Sequence, residues 1–161
     1  AHGSVTPSVS FDGQSGVGRG PPGILAERTQ TVAVGSPLTL SVNATDTSER
    51  DLEDARNTTV PLRVVWSQLQ GPGPVTYTRH ESNPLPEAAA GGRGGGGGGR
   101  TPQPQTMRLP EGSGTSSVIV TFAAAGEYLM LAQVDNFDAN DSGSQDQCCW
   151  TNAYVRVNVT P

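Results

Sequence analysis

The residues of this 161-residue chain with the types and spacing to do chemistry gather mainly in one stretch, Asp135-Asn-Phe-Asp-Ala-Asn-Asp-Ser-Gly-Ser-Gln-Asp146. Asn136, Asp138 and Asn140 stand two apart and Ser142-Gly143 follow, so several oxygens can turn onto one centre. Calcium takes six to eight hard oxygen ligands, and Asp/Asn-rich loops supply them. A Ca²⁺ site would draw on Asp135, Asn136, Asp138, Asn140, Asp141 and Asp146, with Asp46 reaching over from another loop. The spacing is not that of an EF-hand: Asp141 stands where the turn Gly belongs, and no Glu closes the loop. The competing expectation is a polar turn held by Asx hydrogen bonds. Beyond Ca²⁺, no cofactor is expected.

The cysteines, Cys148 and Cys149, are adjacent. Across a trans peptide their Cα atoms would stand ~3.8 Å apart, below the usual disulfide range of ~4.4–6.8 Å. Three fates stay open: a strained vicinal disulfide, bridges to another chain, or free thiols. The histidines are His2 and His80. Cleavage after Ala1 would make His2 an amino-terminal copper chelator with His80 as partner, the last of the readings. No catalytic residues are expected. A Ser-His-Asp set is not arguable with so few His, and polyglycine without Gly-Lys-Ser/Thr has no cation to place on a phosphate. The carboxylates of Glu49–Asp54 read as a solvated turn. Phe137, Trp150 and Tyr154 are the candidate stacking platforms for a glycan. Asn-x-Ser/Thr acceptors stand at Asn43, Asn57, Asn140 and Asn158.

The elements that must hold these residues are strands. Gln30 to Trp66 and Val118 to Val134 alternate apolar and polar residues, with Gly, Pro and Asp breaking the runs. That is the pattern of an all-β sandwich whose strands each bury one face. Strands are predicted at Arg28–Val34, Pro37–Ala44, Pro61–Leu69, Val75–Thr78, Ser116–Phe122, Glu127–Val134 and Ala153–Thr160, about seven, with a short addition at Met107–Leu109. Leu38, Leu40 and Val42 should face inward, as should Leu62, Val64 and Trp66, and Val155, Val157 and Val159. A helical turn capped by Ser48 is the one candidate helix, over Ser48–Arg56. Residues 1–27 read as an extended N-terminal arm, and 28–161 as the sandwich. Residues 79–115 read as a Gly/Pro-rich insertion carrying GGRGGGGGGR at 91–100, read first as a flexible loop.

Composition excludes several functions. The net charge is −5 and all ten basic residues are Arg, so the clustered positive charge that nucleic-acid binding needs is missing. There is no run of 18 apolar residues, and hence no expected membrane span. Ala1-His2-Gly3 suits a mature terminus left by signal cleavage.

TVAVGSPLTLSVNATD, LRVVWSQLQGPGPVTY and VIVTFAAAGEYLMLAQVDN together resemble the PKD-like, immunoglobulin-like modules of bacterial secreted and cell-surface proteins. The resemblance covers Arg28 to Pro161 apart from the insertion and the loop after Asp135. It implies an antiparallel immunoglobulin-like β-sandwich, a secreted, surface or periplasmic location, and service as a spacer or binding module. Fold-level likeness implies no particular activity.

In a sandwich of this connectivity, Pro37–Ala44 and Glu127–Val134 run the same way, so the loops after them emerge at one end. Asp46–Asn57, the insertion and Asp135–Asn152 are expected to crowd that pole, and loops held by a rigid scaffold are where binding residues sit. The sequence thus points to a non-catalytic adhesion or structural module, built into a surface assembly through its arm and loops. Its partners would be other protein subunits. A carbohydrate-binding accessory module for surface glycans is the alternative, and copper binding comes last.

Overall fold

The computed structural model describes residues 3–50, 59–85, 102–139, 142 and 148–161. They form eleven strands: β1 (Ser8–Ser10), β2 (Gly18–Arg19), β3 (Ile24–Leu25), β4 (Gln30–Ala33), β5 (Leu38–Thr45), β6 (Leu62–Gln70), β7 (Val75–Arg79), β8 (Thr106–Leu109), β9 (Ser113–Phe122), β10 (Gly126–Asp135) and β11 (Trp150–Thr160). Two sheets face each other. One has the order β2-β1-β5-β9-β7; the other runs β3-β11-β10-β6-β8, with β4 also on β11. Pairing is antiparallel except where β3 and β4 lie parallel to β11. No helix is long and apolar enough to cross a membrane among the described residues.

Period-two burial builds the core. Leu40, Val64, Trp66, Phe122 and Val157 are all at most 2% exposed and meet between the sheets. Trp66 is the largest of the fully buried side chains. Its indole N–H would be costly to bury alone, and it donates to Ser116 Oγ at 3.1 Å. Tyr128, at the start of β10, donates its hydroxyl to Ala124 O at 2.7 Å and packs on Phe122 with ring centroids 4.5 Å apart. A strand Trp beneath a tyrosine corner is the immunoglobulin-like arrangement, with Met130 two residues after the tyrosine where antibody domains place a cysteine. Gly71, at φ +149°, lets the chain press on that tyrosine: a Cβ there would sit 2.1 Å from Tyr128 Cδ2. The immunoglobulin-like sandwich expected from sequence is therefore the fold.

The N-terminal segment departs from expectation. Residues 1–27 read as an arm outside the core, yet Ser8–Ser10 pair with Asn43–Thr45 of β5, and β2 and β3 add further short strands. Val9 is 1% exposed and Phe11 lies in the core cluster. The alternation of Ser4 to Phe11 is a strand signal, and hydrophobic burial satisfies it within the same chain. β11 also starts three residues earlier than expected, at Trp150. Of the candidate helical turn, Ser48 to Arg50 carry no helix and the rest lies outside the described residues, as does the polyglycine run at 91–100.

Candidate functional site

The strand registers bring the ends of β5 and β10 to one pole: Asn136 Nδ2 lies 3.4 Å from Asp46 Oδ1. The insertion begins lower. β7 runs towards this pole but stops at Arg79, opposite Val118, which is also opposite Leu40 on β5. Arg79 donates to the carbonyls of Asn83 and Pro102, which closes the described ends of the insertion on each other.

At the pole, the side chains expected around a cation have other partners. Asp46 starts an Asx turn: Ser48 N and Ser48 Oγ donate to its Oδ1 at 3.1 and 2.6 Å. Its Oδ2 accepts from Arg50 Nη1 at 2.9 Å. Asp135, 2% exposed, accepts from Arg63 Nε and from the Phe137 amide, each at 3.0 Å. Asp138 pairs with Arg108. Asn136, fully buried, donates to Val5 O at 3.0 Å, and its Oδ1 lies 2.7 Å from Ser142 Oγ. No group of three or more His, Cys, Asp or Glu among the described residues is placed to hold a metal ion. Asn140, Asp141 and Asp146 lie outside the described residues.

This lattice braces the N-terminal segment. Val5 N donates to Ser48 Oγ at 3.0 Å, and Arg50 Nη2 donates to Ser4 Oγ at 2.9 Å. Thr151, also fully buried, donates its hydroxyl to Pro7 O at 2.5 Å and accepts from Gly20 N at 2.8 Å. Burial opposes the charged form of Asp46, but the hydrogen bonds from Ser48 and Arg50 outweigh it and hold the pKa below 3.8. A depressed folded pKa means that the stabilisation is present above the unfolded value and is lost as pH falls through the folded one. Melting temperatures of the native protein and of Asp46→Asn should therefore differ at neutral pH and converge in acid below pH 3.8. A gap that stays constant into acid would mean that the Asp46 charge does not hold the brace.

Cys148 and Cys149 form a vicinal disulfide across a peptide bond that is cis, with Cα atoms 3.0 Å apart instead of the trans spacing expected. Cys149 O accepts from Asn136 N at 3.3 Å, and Cys148 O lies 2.6 Å from Ser142 Oγ.

The three aromatic candidates are not in one row. Phe137 and Trp150 meet edge to face with centroids 6.3 Å apart, and the Arg63 guanidinium lies 5.9 Å over the Phe137 ring. Tyr154 stands apart, opposite Leu131, with its hydroxyl 3.4 Å from Pro21 O. Of the sequons, Asn43 uses its amide: it donates to Asp12 and accepts from Thr115 Oγ1, each at 2.7 Å. Asn158 is exposed on β11, and Asn57 and Asn140 lie outside the described residues. His80 Nδ1 lies 2.7 Å from Ser82 Oγ, and His2 is outside the described residues. Sequence reasoning missed the three arginines. Asp46 and Arg50 show an i,i+4 spacing, whereas Arg63 meets Asp135 only through the β6–β10 register.

No protein-family model matches the chain, and no curated protein does. Among solved structures it is similar to an MSP-domain-like family member of Caenorhabditis elegans, with 9% identity over 83% of this chain and 94% of that one, at a TM-score of 0.38. It is similar also to the CARDB domain of a Pyrococcus furiosus protein, with 12% identity over 96% and 93%, at 0.39. A third is the Salmonella enterica SafA pilin in complex with the SafB chaperone, with 14% identity over 85% of this chain and 57% of that one, at 0.41.

Proposed function

We propose that this chain is an exported, non-catalytic, PKD-like module that serves in adhesion or structural assembly at a cell surface, with other protein subunits as partners. The observation that carries the reading is the use made of charge at the pole. Asp46, Asp135 and Asp138 each pair with an arginine, which spends on bracing the groups that acid–base or metal chemistry would need free. The vicinal disulfide supports an oxidising compartment. Bracing changes the part given to the N-terminal segment: residues 4–11 act as an internal brace, and assembly falls to the strand edges. Protein recovered from its native source and imaged by electron microscopy should be in the surface or extracellular fraction, in multi-subunit particles. A cytoplasmic monomer would sink the reading.

The Phe137–Trp150 pair, partly exposed beside Arg63, favours glycan binding as a second reading. Binding on a glycan array that Trp150→Ala abolishes would support it, and no binding to any glycan would remove it.

A further inference from the structure

The sheet that contains β5 has two unfinished margins. Asp46 N donates to Gly112 O, one step beyond the Thr45–Ser113 pair. Antiparallel alternation then turns the backbone groups of Leu38, Leu40, Val42 and Ala44 towards β9, and those of Thr39, Ser41, Asn43 and Thr45 the other way. β1 takes Asn43 and Thr45, through Ser10 and Ser8, and ends there. The backbone N–H and C=O of Thr39 and Ser41 are thus left without a strand partner among the described residues. They face a cleft of about 290 Å³ where the sandwich stands open between β5 and β11, floored by Phe11, Ala26, Leu40 and Val155.

The opposite margin is β7. Ala123 N donates to Pro74 O, one step beyond the Val75–Phe122 pair, so Val75, Tyr77 and Arg79 turn their backbone groups outward. Neither edge has a further strand partner among the described residues, and the two overlap in height. Tyr77 and Leu38 both lie opposite Val120, and Arg79 and Leu40 both lie opposite Val118. The strands run the same way, since both are antiparallel to β9. A second copy shifted sideways in the same orientation would lay its β7 alongside the open part of β5.

We infer that the open edge of β5 at Thr39 and Ser41 receives β7 of a second copy, continuing one sheet from molecule to molecule. The contact is heterologous, so it propagates into an open filament instead of closing as a dimer. Strand addition of this kind takes its affinity from backbone hydrogen bonds, with pockets for alternate side chains. The inference rests on the assembly reading above and names the surface that performs it.

Proline at Thr39 removes an outward N–H without touching the bonds to β9, a position where an edge strand tolerates proline. Sedimentation of the full chain across a range of concentrations should show an open-ended series of oligomers. Thr39→Pro, and independently Ser41→Pro, should raise the dissociation constant at least about tenfold, while Thr39→Val should not. In the native protein, the amides of Thr39, Ser41, Val75 and Tyr77 should gain hydrogen-exchange protection together as association proceeds. If native protein associates, but folded Thr39→Pro associates equally or protection appears on β7 alone, the edge pairing is wrong and the assembly reading stands. A native chain that stays monomeric at every concentration overturns both.

Discussion

Trp66→Ala should lower the melting temperature by roughly 6–20 °C, a cost of about 3–5 kcal/mol for a buried aromatic at about 2–4 °C per kcal/mol in a chain of this size. Two losses add up. The indole fills the space between β6 and the facing sheet at 1% exposure, so alanine leaves a cavity bounded by rigid strands that cannot close over it. Ser116 Oγ, in a fully buried residue, also loses the indole N–H at 3.1 Å. Trp66→Phe separates the two effects. It keeps most of the volume and gives up the hydrogen bond, so it should cost about 1–3 kcal/mol, the range for an unsatisfied buried group. Differential scanning calorimetry on both variants decides this, and equal losses would mean that the hydrogen bond and not the volume holds β6 in place.

That residue was legible from the sequence because burial on a sheet has a period of two. Leu62, Val64 and Trp66 alternate with Arg63 and Val65, and only one phase of the alternation can face a core. The same reasoning placed Leu40, Val42, Val155, Val157 and Val159, all at most 3% exposed. It misjudged residues 1–27, where Gly and Pro after Phe11 weighed more than the alternation before it. The alternation of Ser4 to Phe11 signals a strand but not its partner, and what fixes that is the long-range pairing of Val9 with Ala44.

The pole was legible as a place and less so as a set of contacts. Connectivity alone puts Asp46 and Asn136 at the same end, and the 3.4 Å between their side chains agrees. Local spacing could not reveal which cation each carboxylate meets. Arg63 is 72 residues from Asp135, and Arg108 is 30 from Asp138. Such pairs depend on registers that no short window of sequence contains. An Asp/Asn-rich loop therefore reads as a cation site or a polar turn until the opposing strands are known.

Asn136→Asp should be the most damaging change at the pole, costing about 3–5 kcal/mol, as expected when a buried charge is left facing the wrong partners. The side chain keeps its shape but turns from donor to acceptor. Its amide donates to Val5 O at 3.0 Å and lies 3.4 Å from Asp46 Oδ1. A carboxylate there would set oxygen against oxygen at both contacts and place a second negative charge beside Asp46. Asn136→Leu removes the same hydrogen bonds without adding charge. It should cost about 1–3 kcal/mol for the Val5 carbonyl left unpaired, since the Ser142 hydroxyl keeps Cys148 O at 2.6 Å. The damage should begin locally, because Val5, Ser48 and Asn136 form one chain of contacts over the N-terminal segment. Limited proteolysis should cut Asn136→Asp within residues 3–7 at temperatures where near-ultraviolet circular dichroism still reports a folded core. Cleavage of the two variants at the same rate would show that lost hydrogen bonds, and not charge, release the segment. A native-like resistance in Asn136→Asp would show that Asn136 does not hold it at all.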